Sequence, residues 1–170
     1  EKDKFKKQQA DDWVSLMTPI LKSFSTDVGC EAANLAVQIY GGHGYIKDHG
    51  IEQLVRDSRI APIYEGTNGI QALDLVGRKM SMHTGRLLKS FFHVVKEYIE
   101  KNSFNYNLNE FISPLSKSFG RLQQVTIFIA SKGLNDPDEA AGPAADYLKM
   151  FSLVAIGYVW TRYAEIAFNK

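Results

Sequence analysis

Apolar side chains recur along this chain at spacings of three and four, and no stretch alternates with a period of two. That pattern is the signature of amphipathic helices packed on one another, and it argues against a sheet. From Ile20 the series runs Leu21, Phe24, Val28, Ala32, Leu35, Ile39 and stops at Gly41-Gly42. Thr18-Pro19 reads as an N-cap followed by proline in the first helical position, so one long helix is expected over about 19–40. The residues before it, with Trp13, Leu16 and Met17 on one side, read as the end of a preceding helix. A short helix is expected from Gly50 to Ile60, with Ile51, Leu54 and Val55 inward. Another is capped by Thr67 or Asn68 and carries Ile70, Leu73, Val76 and Met80 on one face. Three further helices are marked by Leu88–Ile99, by Leu115–Ile129 behind Pro114, and by Leu148–Val159. The expected fold is therefore all-α: a bundle portion over 1–82 and an added C-terminal helical unit over 83–170, divided near Ser81–Gly85.

The 170 residues are 45% hydrophobic, enough for a real core. Twenty basic and nineteen acidic residues leave a net charge of +1, which gives no footprint for nucleic acid. The cluster Lys2, Lys4, Lys6, Lys7 is broken by Asp3 and reads as a solvated helix face. Cys30 is the single cysteine, so an internal disulfide and a cysteine metal cluster are both excluded. It is expected to be a buried thiol. The most apolar run, Met150–Thr161, is too short for the roughly 20 residues of a membrane span. The chain opens without Met inside a helix-forming segment, the pattern expected of a piece of a longer protein.

The chemistry is concentrated in residues 38–71. Gly41, Gly42 and Gly44 allow close backbone approach and could present amide N–H groups to a phosphate. On glycine spacing alone, a helix stop and turn is the simpler reading, because no strand precedes the loop. Glu65 stands between Tyr64 and Gly66, just before a helix. Its simplest role is a charge favourable to a helix N-terminus. A catalytic role needs the carboxylate in a partly apolar cleft, with Gly66 letting a substrate approach. His43 and His49 around Asp48 match no standard zinc spacing, so no metal site is expected. Arg56, Asp57 and Arg59 are expected to form structural salt bridges, and Trp13, Phe91, Phe92 and Trp160 to pack in the core.

Taken together, Gln38-x-x-Gly41-Gly42-x-Gly44-Tyr45, Arg56-Asp57-x-Arg59-Ile60 and Ile63-Tyr64-Glu65-Gly66-Thr67 closely resemble the signature region of acyl-CoA dehydrogenases. The resemblance runs from about Pro19 to Lys79. The tail, with Asp136-Pro137-Asp138-Glu139 and Asp146-Tyr147-Leu148, is similar to the extra helical domain of the larger bacterial-type members. The resemblance implies a flavoenzyme that oxidises acyl-CoA to trans-2-enoyl-CoA in fatty-acid β-oxidation. Glu65 would remove the α-proton, and its backbone N–H would polarise the thioester carbonyl. FAD would accept the β-hydride. Tyr64 and Gly66 would line the acyl pocket. Gln38, Gly41 and Gly42 would reach the FAD of a neighbouring subunit, and Thr67 would contact FAD near the helix start. Gly69 departs from the many short members that carry glutamine there, which removes one FAD-binding side chain.

The resemblance further implies a homodimer or homotetramer and an electron acceptor such as electron-transfer flavoprotein. It implies a cytoplasmic location in a bacterium, with peripheral membrane association allowed, or the mitochondrial matrix in a eukaryote. The family's N-terminal helical domain and β domain are not in these 170 residues, so this chain alone is expected to be inactive. Two other readings stay open: an acyl-CoA oxidase-like enzyme, told apart by hydrogen peroxide formation, and a non-catalytic helical interaction module. An intact Glu65 within Tyr-Glu-Gly-Thr weighs against the second, since binding alone does not need that carboxylate.

Overall fold

In a computed structural model that describes residues 2–168, every regular element is helical and no strand occurs among the described residues. The elements are α1 (Lys2–Tyr40), α2 (Ile51–Arg59), α3 (Asn68–Asp74), α4 (Met82–Asn102), α5 (Asn109–Gly133), α6 (Pro137–Ala141) and α7 (Ala144–Phe168). Short 3-10 turns follow α1 and precede α5, and a π turn, Leu75–Lys79, extends α3.

The spine is α1. No break occurs at Thr18-Pro19: the helix runs through, with the Pro19 ring fully buried. The sequence signal for a helix start is overridden because Leu16, Pro19 and Ile20 share one buried face, and that burial offsets the single backbone hydrogen bond that proline cannot donate. The Thr18 hydroxyl does not cap. It donates back to the Val14 carbonyl at 2.6 Å. Pro114 likewise lies inside α5, in its second turn, instead of starting the helix.

The core is one continuous cluster that joins α1 to α3, α4, α5, α6 and α7. Aromatic rings hold its centre. Phe91 of α4 packs on Phe151 of α7 at 4.9 Å and edge-on to Trp13 of α1 at 5.7 Å, while Phe92 meets Phe119 of α5 edge-on at 5.5 Å. Tyr147 brings a hydroxyl into this interior and satisfies it against Thr126 at 2.7 Å. The Thr126 proton goes to the Leu122 carbonyl, so Tyr147 donates, and burial pushes its pKa up to about 12.

Several side chains expected inside lie outside. Trp160 is 68% exposed, because α7 is apolar nearly all round and only the face carrying Tyr147, Phe151, Val154 and Tyr158 meets other helices. Of the face expected after Thr67, Val76 and Met80 are buried, but Ile70 and Leu73 are exposed and Ala72 and Leu75 are buried in their place. The wider π turn rotates the inward face at this point. On α1, Leu21, Val28, Leu35 and Ile39 are left exposed among the described residues. Leu54 of α2 is also exposed.

At the Ser81–Gly85 junction the chain reverses through three successive left-handed residues, His83, Thr84 and Gly85. The turn is anchored by Arg86, whose guanidinium donates to both carboxylate oxygens of buried Asp12 at 2.8 and 3.0 Å. The segment Gly133–Pro143 resolves into α6, with Asp136 as its cap, accepting from the Asp138 N–H, and Pro137 in the first turn.

Two stability outcomes follow. Phe151→Ala removes a fully buried ring and is expected to lower unfolding stability by about 3–5 kcal/mol in a urea titration followed by circular dichroism. The Arg86 hydrogen bonds hold the Asp12 carboxyl below its ordinary value of 3.8. A depressed folded pKa means that the pair stabilises fully above 3.8 and fades as pH falls through the lower folded value. The gap in unfolding midpoint between the parent and Asp12→Asn is therefore expected to be constant from pH 7 to about 5 and to close below about pH 4.

Candidate active site

The segment between α2 and α3 is bent tightly. Ile63 N–H and Tyr64 N–H both bond back to the Ile60 carbonyl, at 2.9 and 3.1 Å, and Asn68 N–H reaches the Pro62 carbonyl at 3.2 Å. Between these, Glu65 and Gly66 are both left-handed, with φ of 54° and 82°. Glycine accepts that conformation freely. For glutamate it costs on the order of 1–3 kcal/mol and persists only where surrounding contacts dictate it.

Those contacts are present. The Glu65 carbonyl accepts from Gln71 Nε2 at 2.9 Å. The Gly66 carbonyl accepts from Lys22 Nζ of α1 at 2.8 Å, and the same ammonium donates to Asn68 Oδ1 at 2.8 Å. Asn68 Nδ2 in turn donates to Asp27 Oδ1 at 2.7 Å and to Thr26 Oγ1 at 3.1 Å. The turn is thus tied to one face of α1 through residues at 22, 26 and 27. The local pattern marks Asn68 as an alternative cap but gives Lys22 and Gln71 no role. Lys22 and Thr26 are polar and one helical turn apart, but Ser23, Ser25 and Asp27 beside them are polar too, so nothing local singles them out.

Of the residues expected to do chemistry, Tyr64, Glu65, Gly66 and Thr67 are brought together on this turn. The Glu65 carboxylate and the Tyr64 ring are exposed. The Glu65 N–H meets no acceptor among the described residues. Thr67 is the N-cap of α3: its oxygen accepts from Ile70 N–H at 3.3 Å, so its own proton stays available.

Gln38, Gly41 and Gly42 lie elsewhere. Gln38 is sixteen residues beyond Lys22 on α1, about 24 Å along the axis. All three are exposed. The glycines of this loop have different reasons to be glycine. Gly41 takes a φ of 60°. Gly44 is buried against α1, where an added Cβ would stand 2.7 Å from the Val37 carbonyl oxygen. Gly42 has neither reason, for its φ is ordinary and nothing lies within 4 Å of an added Cβ.

Beside this loop, an open groove of about 650 Å³ runs between the end of α1 and α2, lined by Val37, Tyr45, Glu52, Arg56, Arg59 and Ile63 among others. The expected salt bridges of Arg56, Asp57 and Arg59 do not form among the described residues. Asp57 accepts from Gln53 Nε2 at 2.7 Å one turn away, and both arginines face the open groove. Cys30 is half-buried, not buried, and its thiol donates to the Ser58 carbonyl at 3.2 Å, where it joins α1 to α2. His43 and His49 stack edge-on at 5.4 Å on the surface.

Comparison with known proteins gives two adjoining family matches. Residues 4–80 match the acyl-CoA dehydrogenase C-terminal domain, and residues 91–170 match the domain described as acetyl-CoA dehydrogenase C-terminal like. The chain belongs to the acyl-CoA dehydrogenase family. It is similar to 3-methylmercaptopropionyl-CoA dehydrogenase of Ruegeria pomeroyi, 44% identical over 51% of this chain and 15% of that protein. It is also similar to a broad-specificity linear acyl-CoA dehydrogenase of Mycobacterium tuberculosis, 31% identical over 64% of this chain and 18% of that protein. The chain thus spans less than a fifth of the length of these relatives. Among solved structures, Caenorhabditis elegans ACDH-11 in complex with C11-CoA shares the fold, with a TM-score of 0.70 at 22% identity over 88% of this chain and 26% of that one. The all-α architecture is that of the family's C-terminal region. No described helix is long and apolar enough to cross a membrane.

The contrast between the glycines gives a direct test within this family region. Gly44→Ala is expected to destabilise the chain by about 1–3 kcal/mol, because the methyl group has no room against Val37. Gly42→Ala is expected to leave the thermal midpoint nearly unchanged. Thermal denaturation of both variants checks the pair.

Proposed function

We propose that this chain is the C-terminal part of an FAD-dependent acyl-CoA dehydrogenase and that Glu65 is its catalytic base. The observation that carries the proposal is the turn at Tyr64–Thr67: a strained, doubly clamped backbone that presents an exposed carboxylate and a free N–H side by side. Removing the α-proton of a thioester asks for both. The proton is weakly acidic, so a carboxylate must accept it while a donor holds the carbonyl oxygen on which negative charge develops. In this reading Glu65 takes the proton and its own N–H holds the carbonyl. Gly66 leaves room for the thioester, and the Tyr64 ring covers the acyl chain.

Bound FAD would supply the hydride acceptor. The residues present suit such a group: the bare surface at Gly42 admits a close approach from outside the chain, Gln38 is exposed beside it, and Thr67 keeps a free proton. Because Gln38 and Gly42 lie far along α1 from Glu65, they would serve the FAD of a neighbouring subunit, while Thr67 serves the FAD next to Glu65. The uncovered stripe Leu21, Val28, Leu35 and Ile39 supports burial of α1 in a homo-oligomer or against further parts of the polypeptide. We divide the chain into a bundle portion over 1–82 and an extension over 83–170. Electron-transfer flavoprotein is the acceptor we favour, and the bacterial relatives support a cytoplasmic location.

In the full-length enzyme, Glu65→Gln is expected to retain FAD but to slow bleaching of the flavin by acyl-CoA at least ~10²–10⁴-fold, since the amide cannot take up the proton. Stopped-flow absorbance of the flavin band measures this. Near-normal bleaching would place the base elsewhere.

A further inference from the structure

We infer that Lys22, together with Gln71, is a positioning clamp for Glu65 and sets the rate of proton abstraction without touching substrate; the inference rests on the assignment of Glu65 as the base. A glutamate at φ 54° is not where the chain would settle by itself. Release to an ordinary negative φ would rotate the Cα–Cβ bond and aim the carboxylate away from the position beside its own N–H. What opposes this is the hold on the carbonyl of each strained residue. Gln71 Nε2 holds the Glu65 oxygen at 2.9 Å, and Lys22 Nζ holds the Gly66 oxygen at 2.8 Å. With both oxygens fixed, neither peptide plane can flip.

Lys22 is the stronger half. Its ammonium donates charge-assisted hydrogen bonds to two acceptors on the turn, Gly66 O and Asn68 Oδ1. Asn68 is itself held by Thr26 and Asp27, four and five residues beyond Lys22 on the same helix. The clamp therefore transmits the rigidity of α1 to a turn more than forty residues away in sequence. The Lys22 side chain is half-buried and has no contact with the Glu65 carboxylate among the described hydrogen bonds and ion pairs, so it acts through the backbone alone.

The test uses the full-length FAD-loaded enzyme and a saturated straight-chain acyl-CoA. Lys22→Met and Gln71→Ala are each expected to slow flavin reduction by roughly 10- to 100-fold, the scale of a reacting group misplaced by about 1 Å. FAD content, oligomer size and acyl-CoA affinity should stay within about twofold. Lys22→Arg can reach the same two acceptors and should recover most of the rate. In a Glu65→Asp background, where the carboxylate is already withdrawn, Lys22→Met should cost clearly less than in the parent, since the two changes act on one group. Equal losses in both backgrounds would overturn the clamp, as would parent-like reduction rates in Lys22→Met and Gln71→Ala. If Lys22→Met loses flavin or fails to assemble, Gln71→Ala, which leaves α1 untouched, decides by the same criteria. Glu65→Gln measured in parallel separates the two ideas: a rapidly reduced Glu65→Gln flavin removes the base assignment itself, whereas a silent Glu65→Gln with parent-like clamp variants removes only the clamp.

Discussion

Everything in this chain is referred to α1, a 39-residue helix on which α2, α3, α4 and α7 all pack. Its buried face at Leu16, Pro19 and Ile20 meets the aromatic cluster of α4 and α7, and its Asp12 carboxylate fixes the reversal into α4 through Arg86. A helix this long is stiff because each added residue contributes a backbone bond. Elements seated along it keep their spacing, and that is what lets one half of the chain act as a fixed base for the other.

Stiffness matters most where the backbone is least relaxed. The Glu65–Gly66 turn stores strain that local sequence cannot sustain, and the compensating contacts come from α1 and from the first turns of α3. The extension beyond Ser81 contributes indirectly. The Ser152 hydroxyl of α7, whose proton goes to the Leu148 carbonyl at 2.8 Å, lies 3.4 Å from the Ile20 carbonyl, two residues before Lys22, and α7 packs along α3 as well as α1. The helices that carry no candidate chemistry thus steady the one that does.

How much of this was legible beforehand depends on the range of the interaction. Thr67 as a cap, the Gly41-Gly42 stop and the helical identity of nearly every segment rest on contacts within a few residues, and each left a mark in the local pattern. Pro19 and Pro114 carried an equally clear local mark for helix starts, yet both sit inside helices, because burial on a shared face outweighs one missing hydrogen bond. The Tyr64–Thr67 motif marked the place of the candidate site. Lys22 and Gln71 did not stand out, because a lysine and a glutamine on helices have no distinguishing local context.

What the sequence determined by itself is therefore the helical class, the stops and caps, and the segment that carries the candidate carboxylate. Each of these depends on neighbours along the chain. The tertiary structure decided which faces of α1 and α7 are covered, where the π turn rotates α3, and which distant side chains hold Glu65 in a left-handed conformation. The Gln71 contact reaches back only six residues, but the Lys22 contacts span more than forty, and their energies exist only once the helices have packed.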